Sequence, residues 1–401
     1  MSTFAKILLG LVGWNTLLWW VLGLIFTPLL PGGWWTVAGL AVLALAPVGV
    51  LARGFTSGGY PRASTRVWVF RPFWYGQLFL PLLASAGTLG VVIGLFAGAP
   101  GVGGRIAVGI MATVMVAGAV AGYVGSRRLV LRPLEVVFPD LPAGLDGLRV
   151  VQLSDLHVGP HTPDRHLAGI AAAVRAAQPH LLVLTGDQVD DFARDVEPLG
   201  QAFGDLSAPL GVIAVAGNHD VYAGWQSVRR GMERLGWTVL VNESITIERN
   251  GARLRLVGLG DPAGFGGPGG PDASVVPDVG RALVGVGKEE FTVALAHNPA
   301  LWPLLAERGV RLTLSGHTHY GQLAIPGLGW SMASPFLDHA MGIHRAGSST
   351  LYINPGTNYW GIPFRLGTPP EVTVVTLVRA ESTDAGAPGR ILPLRTSAHS
   401  A

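Results

Sequence analysis

The sequence predicts an α/β fold of two packed sheets flanked by helices, set behind a helical membrane anchor. Three observations carry that expectation. Among the 401 residues no Asp or Glu precedes Glu135. After Arg132, short β-rich apolar runs alternate with helical patterns, as in sheets built partly from parallel pairs. Several of those runs end in turns that carry aspartate and histidine.

The anchor, residues 1–130, is read from its uncharged runs. Ile7–Ala52 holds no charge and is divided by Pro31-Gly32-Gly33. Pro72–Gly104 and Ile106–Ser126 are likewise uncharged. Each segment is about long enough to cross a ~30 Å hydrocarbon core as a helix. The expectation is a four-helix transmembrane bundle over about 5–27, 34–52, 73–97 and 105–125. Trp14, Trp19, Trp20, Trp34, Trp35, Trp68 and Trp74 fall mostly toward the span ends, where interfacial aromatics gather. Asn15 and Gln77 are the amides within the spans, and interhelical hydrogen bonds are their expected role. Lys6, Arg53, Arg62, Arg66, Arg71, Arg127, Arg128 and Arg132 fall on one side, against Arg105 alone on the other. The positive-inside rule then makes this a multi-pass integral membrane protein with a cytoplasmic catalytic domain. The basic pI of about 9.4 reflects these flanking loops, so no nucleic-acid partner is expected. Without cysteine, disulfides and thiolate ligands are excluded.

The second domain, 131–379, reads in order as follows. Leu148–Leu153 is a strand, and Thr162–Gln178 a helix capped by Thr162 with Pro163 at its first position. Leu181–Leu184 is a strand, Val196–Leu206 a helix, Val212–Ala216 a strand and Ser227–Leu235 a helix. Ser244–Glu248, Leu254–Leu259, Thr292–Ala296, Arg311–Leu314, Thr350–Ile353 and Glu371–Leu377 are assigned to a second sheet. The tail, 380–401, is Ala/Ser/Pro/Gly-rich and is expected to be disordered.

Ligands of open α/β sheets collect outside the carboxyl ends of strands. Asp155, Asp187, Asn218, His297 and His317 each fall just past such an end. With His157 and His319 they exceed the needs of one four-coordinate ion and suit two ions sharing a carboxylate. Imidazoles mixed with oxygen donors favour Mn, Fe, Zn or Co over Mg or Ca. Two such ions ~3.5–4 Å apart can generate a hydroxide at neutral pH and clamp an in-line displacement at phosphorus.

The ordered set Asp155-x-His157, Gly186-Asp187-x-x-Asp190, Gly217-Asn218-His219-Asp220, His297 and Gly316-His317-x-His319 resembles the calcineurin-like metallophosphoesterases. The resemblance covers about 140 to 378 and implies a two-sheet α/β/β/α metallophosphoesterase sandwich. It also implies two divalent transition-metal ions (Mn, Fe or Zn). Asp155, His157, Asp187 and His319 would hold the first, and bridging Asp187 with Asn218, His297 and His317 the second. His219 would be the catalytic histidine supporting the leaving oxygen, and Asp190 and Asp220 would orient ligands. Ser154-Asp155-Leu156-His157 and Pro370-Glu371-Val372 resemble the membrane-associated bacterial branch, some of whose members cleave lipid-linked pyrophosphates. Tyr320 departs from that branch, which carries glycine there.

The implied function is a membrane-anchored, metal-dependent phosphoesterase that hydrolyses a phosphoester or pyrophosphate bond, with a lipid-linked substrate in view. Two other readings compete: a nucleotide or cyclic-nucleotide phosphodiesterase with an incidental anchor, and a non-catalytic membrane scaffold. The scaffold predicts gaps in the ligand set, and the sequence has none. His161, His166, His180, His339, His344 and His399 are expected on surfaces or in local hydrogen bonds, away from the metal. Asp261–Pro277 is expected to be a loop, with a lid as its alternative. The sequence leaves the oligomeric state open.

Overall fold

The computed structural model describes residues 3–57, 61–267, 270–287, 289–380 and 390–392. The chain divides into two compact units, with the boundary between Ala121 and Gly122.

The N-terminal unit is helical. Its elements are α1 (Thr3–Phe26), α2 (Trp34–Ser57), α3 (Ala63–Thr65), α4 (Arg71–Phe96) and α5 (Pro100–Gly125), the last running past the boundary. Leu9–Leu29, Ala63–Phe96 and Pro100–Gly125 are long and apolar enough to cross a membrane, whereas Trp34–Val50 is apolar but shorter. Ala63–Phe96 begins ten residues before the expected 73. A π-helical stretch, Arg66–Phe70, joins α3 to α4, and Pro72 falls where the regular ladder is already interrupted. Asn15 Nδ2 donates to Gln77 Oε1 at 2.9 Å and Gln77 Nε2 donates back to Asn15 Oδ1 at 3.2 Å. Each amide thus satisfies the other among apolar neighbours, between α1 and α4.

In the C-terminal unit, β1 (Val130–Phe138), β2 (Leu148–Leu153), β3 (Leu181–Leu184), β4 (Val212–Ala214) and β5 (Thr238–Val239) precede β6 (Glu243–Arg249) and β7 (Ala252–Gly258). Then come β8 (Phe291–Leu295), β9 (Leu312–Ser315), β10 (Ala324–Ile325), β11 (Trp330–Ser331), β12 (Gly342–Ala346), β13 (Ser349–Ile353), β14 (Glu371–Arg379) and β15 (Arg390–Leu392). The helices are α6 (Asp164–Ala177), α7 (Val196–Phe203), α8 (Asn218–Tyr222), α9 (Trp225–Arg234), α10 (Val279–Ala282) and α11 (Trp302–Glu307). One mixed sheet has the order β15-β1-β14-β2-β3-β4-β5 and the other β12-β13-β9-β8-β7-β6.

The inner faces supply the central core. Leu134, Val136, Phe138, Val150, Val183 and Ile213 meet Leu254, Leu256, Phe291, Val293, Leu312 and Leu314 there. On the outer face of the first sheet, Val151, Leu182 and Leu184 pack with Ile170 of α6, Leu199 of α7 and Trp225 of α9. On the outer face of the second, Val257 and Ala294 pack with Ala282 of α10 and Leu305 of α11. The layers are therefore helix, sheet, sheet, helix.

Three expectations differ from the structure. Glu371–Leu377 belongs to the first sheet, where β14 lies between parallel β1 and antiparallel β2. Both its faces are buried, which suits a central strand. The Thr162 hydroxyl donates to His157 O at 2.9 Å and so does not cap the next helix, whose N-cap position is Pro163. The tail lies outside the described residues from 381 to 389 and from 393 on. Its Arg390–Leu392 forms β15, antiparallel to β1, and so pairs with the outer side of that strand at the sheet edge.

Candidate metal centre

The strand ends converge because β2, β3 and β4 run parallel in one sheet and β8 and β9 in the other. Ligand-bearing turns follow each of them. In the first turn Asp155 and His157 take φ of 53° and 40°, and in the next Asp187 takes 54°. His317 and His319 after β9 take 72° and 48°. Asp and His visit this left-handed region more readily than most residues with a Cβ. The turns also need glycine: a Cβ on Gly316 would run into Ser154 Oγ and the Asp155 carboxylate.

All the donors expected from the sequence meet in one buried space. His157 Nε2 lies 3.0 Å from His319 Nε2, which is 3.2 Å from Asp155 Oδ1. His297 Nε2 is 3.2 Å from Asp187 Oδ2 and 3.2 Å from Asn218 Oδ1, and His317 Nδ1 is 2.8 Å from Asn218 Oδ1. Asp187 lies between the two groups, with Oδ2 also 3.7 Å from His157 Nε2. Acceptor atoms crowd together here with few hydrogens to share. Two imidazole nitrogens at 3.0 Å can share at most one proton. Imidazoles and carboxylates facing inward at ligand–ligand spacing fit a pair of divalent cations.

The surrounding groups orient this set. His297 Nδ1 donates to Thr185 O at 2.7 Å, which leaves Nε2 facing inward. Asp220 accepts from the backbone N–H groups of Gln188, Val189 and Gly217, tying the Asp187 turn to the Asn218 turn. Asp190 Oδ1 is 3.4 Å from His157 Nδ1, and its Oδ2 is 2.6 Å from His161 Nε2. His219 Nδ1 donates to Asp190 O at 2.7 Å, which leaves Nε2 as its other proton-carrying atom.

Electrostatics follow the crowding. Burial works against the Asp155 and Asp187 carboxylates, yet His319 beside the first and His297 beside the second hold both below the usual range. Burial and the charge of Asp187 push Asp220 up to about 7, and burial pushes Asp261 up to about 6. Burial and the charge of His297 push His317 down to about 4. Burial also opposes protonation of His219 and His297, but the neighbouring Asp187 carboxylate raises both.

Arg365 was not anticipated here, and Asp261, expected to open a loop, caps the short 3-10 turn Pro262–Phe265. Arg365 is 1 % exposed and donates to His319 O, Pro355 O and Asn358 O. Its Nη2 also lies 2.9 Å from His319 Nδ1. A clue was available, since Arg365 is the sole charged residue between Arg345 and Glu371. Asp261 is buried and accepts from Ala263 N at 2.8 Å. Tyr320 points away from the site: its hydroxyl donates to Ile353 O at 2.6 Å and accepts from Gly342 N at 2.9 Å. Its backbone is left-handed (φ 53°), the conformation that a glycine would adopt freely.

Of the remaining histidines, His166 approaches Thr357 O, His180 accepts from Arg149 N, His339 stands edge-on to Trp302 and His344 lies tilted beside it. His399 lies outside the described residues.

Comparison with known proteins agrees with this layout. The calcineurin-like phosphoesterase family matches residues 148–321. "Transmembrane protein with metallophosphoesterase domain" of Danio rerio is 31 % identical over 261 residues, covering 62 % of this chain and 57 % of that protein. The uncharacterized metallophosphoesterase YkuE of Bacillus subtilis is 29 % identical, covering 59 % and 81 %. An uncharacterized metallophosphoesterase of Aquifex aeolicus is 30 % identical over 240 residues, covering 59 % and 87 %. The chain spans 57 % and 56 % of the length of the transmembrane relatives from Danio rerio and Bos taurus. The chain belongs to the calcineurin-like metallophosphoesterase family.

Proposed function

We propose that this protein is a membrane-anchored phosphoesterase that uses two metal ions to hydrolyse an amphiphilic phosphoester or phosphoanhydride at the bilayer surface. The observation that carries the reading is the inward convergence of Asp155, His157, Asp187, Asn218, His297, His317 and His319 from separate strand ends. In this reading Asp155, His157 and His319 would hold one ion, Asn218, His297 and His317 the other, and Asp187 would serve both. Bound divalent ions would supply an activated water and neutralise charge on the phosphoryl oxygens. His219 presents Nε2 to the leaving oxygen, with its ring fixed by the bond from Nδ1 to Asp190 O. Asp220 and Asp190 keep the ligand turns and His157 in place.

Two tests address the membrane part. Reporters fused after Ala380 and between α2 and α3 should both behave as cytoplasmic, as the one-sided arginines require. Export of the first fusion would sink the orientation.

The substrate class follows from the tether. Only Ser126–Leu129 separates α5 from β1, a reach of ~14 Å at most when extended. A site held that close to a bilayer meets lipids more often than bulky soluble polymers. Full-length protein in vesicles should therefore turn over a lipid phosphoester faster than nucleotides or cyclic nucleotides. Faster cleavage of soluble nucleotides, with no benefit from the anchor on the lipid substrate, would favour the nucleotide phosphodiesterase.

A further inference from the structure

The stretch Leu323–Leu337 contains no charged residue, yet much of it lies on the surface. Its strands β10 and β11 pair around the turn Pro326–Leu328, and while Ala324 and Ala333 are buried, most of the larger apolar side chains are exposed. Ile325 is 47 % exposed, Leu328 77 % and Phe336 81 %. A contiguous apolar surface of this kind marks an interaction site.

Its position in the fold indicates what covers it. The segment Phe364–Leu366 runs between this hairpin and Gly122–Gly125, the last turn of α5. Arg365 N donates to Gly122 O at 2.8 Å, Leu366 N to Gln322 O at 3.0 Å, and Ala324 N to Leu366 O at 2.9 Å. Two hydrogen-bonded chain spacings, roughly 10 Å, thus separate the hairpin from the end of a helix that can cross a membrane. A spanning helix ends in the interfacial zone, where tryptophan and basic side chains are at home. Trp330 is in the hairpin, and Arg127, Arg128 and Arg132 follow the helix end. The patch also borders the mouth of the site. Gln322 exchanges two hydrogen bonds with the backbone of Trp360, and the Trp360 ring stands edge-on to His219 at 5.8 Å.

We propose that Ile325–Leu337 is a second membrane contact, an apolar hairpin that enters the interfacial layer of the bilayer beside α5. It holds the mouth of the metal centre against the lipid surface, so that an amphiphilic substrate presents its phosphorus while its tail stays in lipid. This inference rests on the reading of α5 as a membrane span.

The absence of native cysteine makes site-specific labelling a clean test. Leu328→Cys, Val114→Cys on α5 and Val284→Cys elsewhere on the catalytic unit are all well exposed positions (77 %, 59 % and 74 %). Each full-length variant would carry an environment-sensitive fluorophore in vesicles of phosphatidylcholine and phosphatidylglycerol, with or without nitroxide-bearing lipid. The expected result is a blue shift and nitroxide quenching at 328 and 114, with neither at 284. Quenching at 114 but not at 328 overturns the hairpin contact and leaves the span standing. No quenching at 114 removes the span, and the inference with it. Equal quenching at 284 and 328 would mean general adsorption, and a blue shift at 328 without lipid quenching would mean a protein partner. Either result overturns the proposal.

Discussion

Asp187→Asn should cost the protein at least one of its metal ions and, with it, turnover. Asp187 stands between the two donor groups, 3.2 Å from His297 Nε2 and 3.7 Å from His157 Nε2. Two divalent ions ~3.5–4 Å apart repel strongly, and a shared carboxylate is the charge that offsets this. Asparagine keeps the shape and tolerates the left-handed backbone (φ 54°), so the turn should still form. It can also still accept from His219 N, as Oδ1 now does at 2.7 Å. Removing a group that merely orients a ligand costs ~10–100-fold in affinity or activity, and a bridging ligand should cost more. Metal per chain and turnover on an aryl phosphate decide the matter. Two ions retained at full occupancy would show that Asp187 is not the bridge.

His219→Ala should behave in the opposite way, keeping both ions and the fold while turnover falls ~10²–10⁴-fold. A leaving group as acidic as a nitrophenol needs little protonation and should suffer less than an alkyl leaving group. The alternative is concrete, since donor atoms of His219, His157 and Asp187 lie within 4.8 Å of one another. If His219→Ala loses metal as Asp187→Asn is expected to, His219 is a ligand and its acid role is wrong.

The strand-end turns were legible in the sequence because each joins a short apolar run to a polar turn, and β2 and β3 fall where those runs do. What escaped depends on contacts distant in sequence. The parallel pairing of β1 with β14 joins Val130 to Glu371, and no local pattern announces it. Pro133 sits within β1 without cost on the β15 side, because β15 pairs only Glu135–Val137. Thr162 fits a helix cap by type, and its hydroxyl was claimed by His157 O instead. Arg365 is a lone charge whose four partners come from His319, Pro355 and Asn358, so its place depends on the completed fold.

The left-handed backbone at Asp155, His157, Asp187, His317 and His319 carries a consequence for how this family diverges. Conformations of this kind cost on the order of 1 kcal/mol or more each when the residue bears a Cβ. Glycine or asparagine would suit the bare turns better, even though Asp187 and Asp155 also accept backbone N–H groups from His219 and His317. A descendant released from catalysis should therefore drift first at these turns, gaining thermal stability as it loses ligands. Loss of the set in such a descendant would relieve backbone strain in the same step that emptied the metal site.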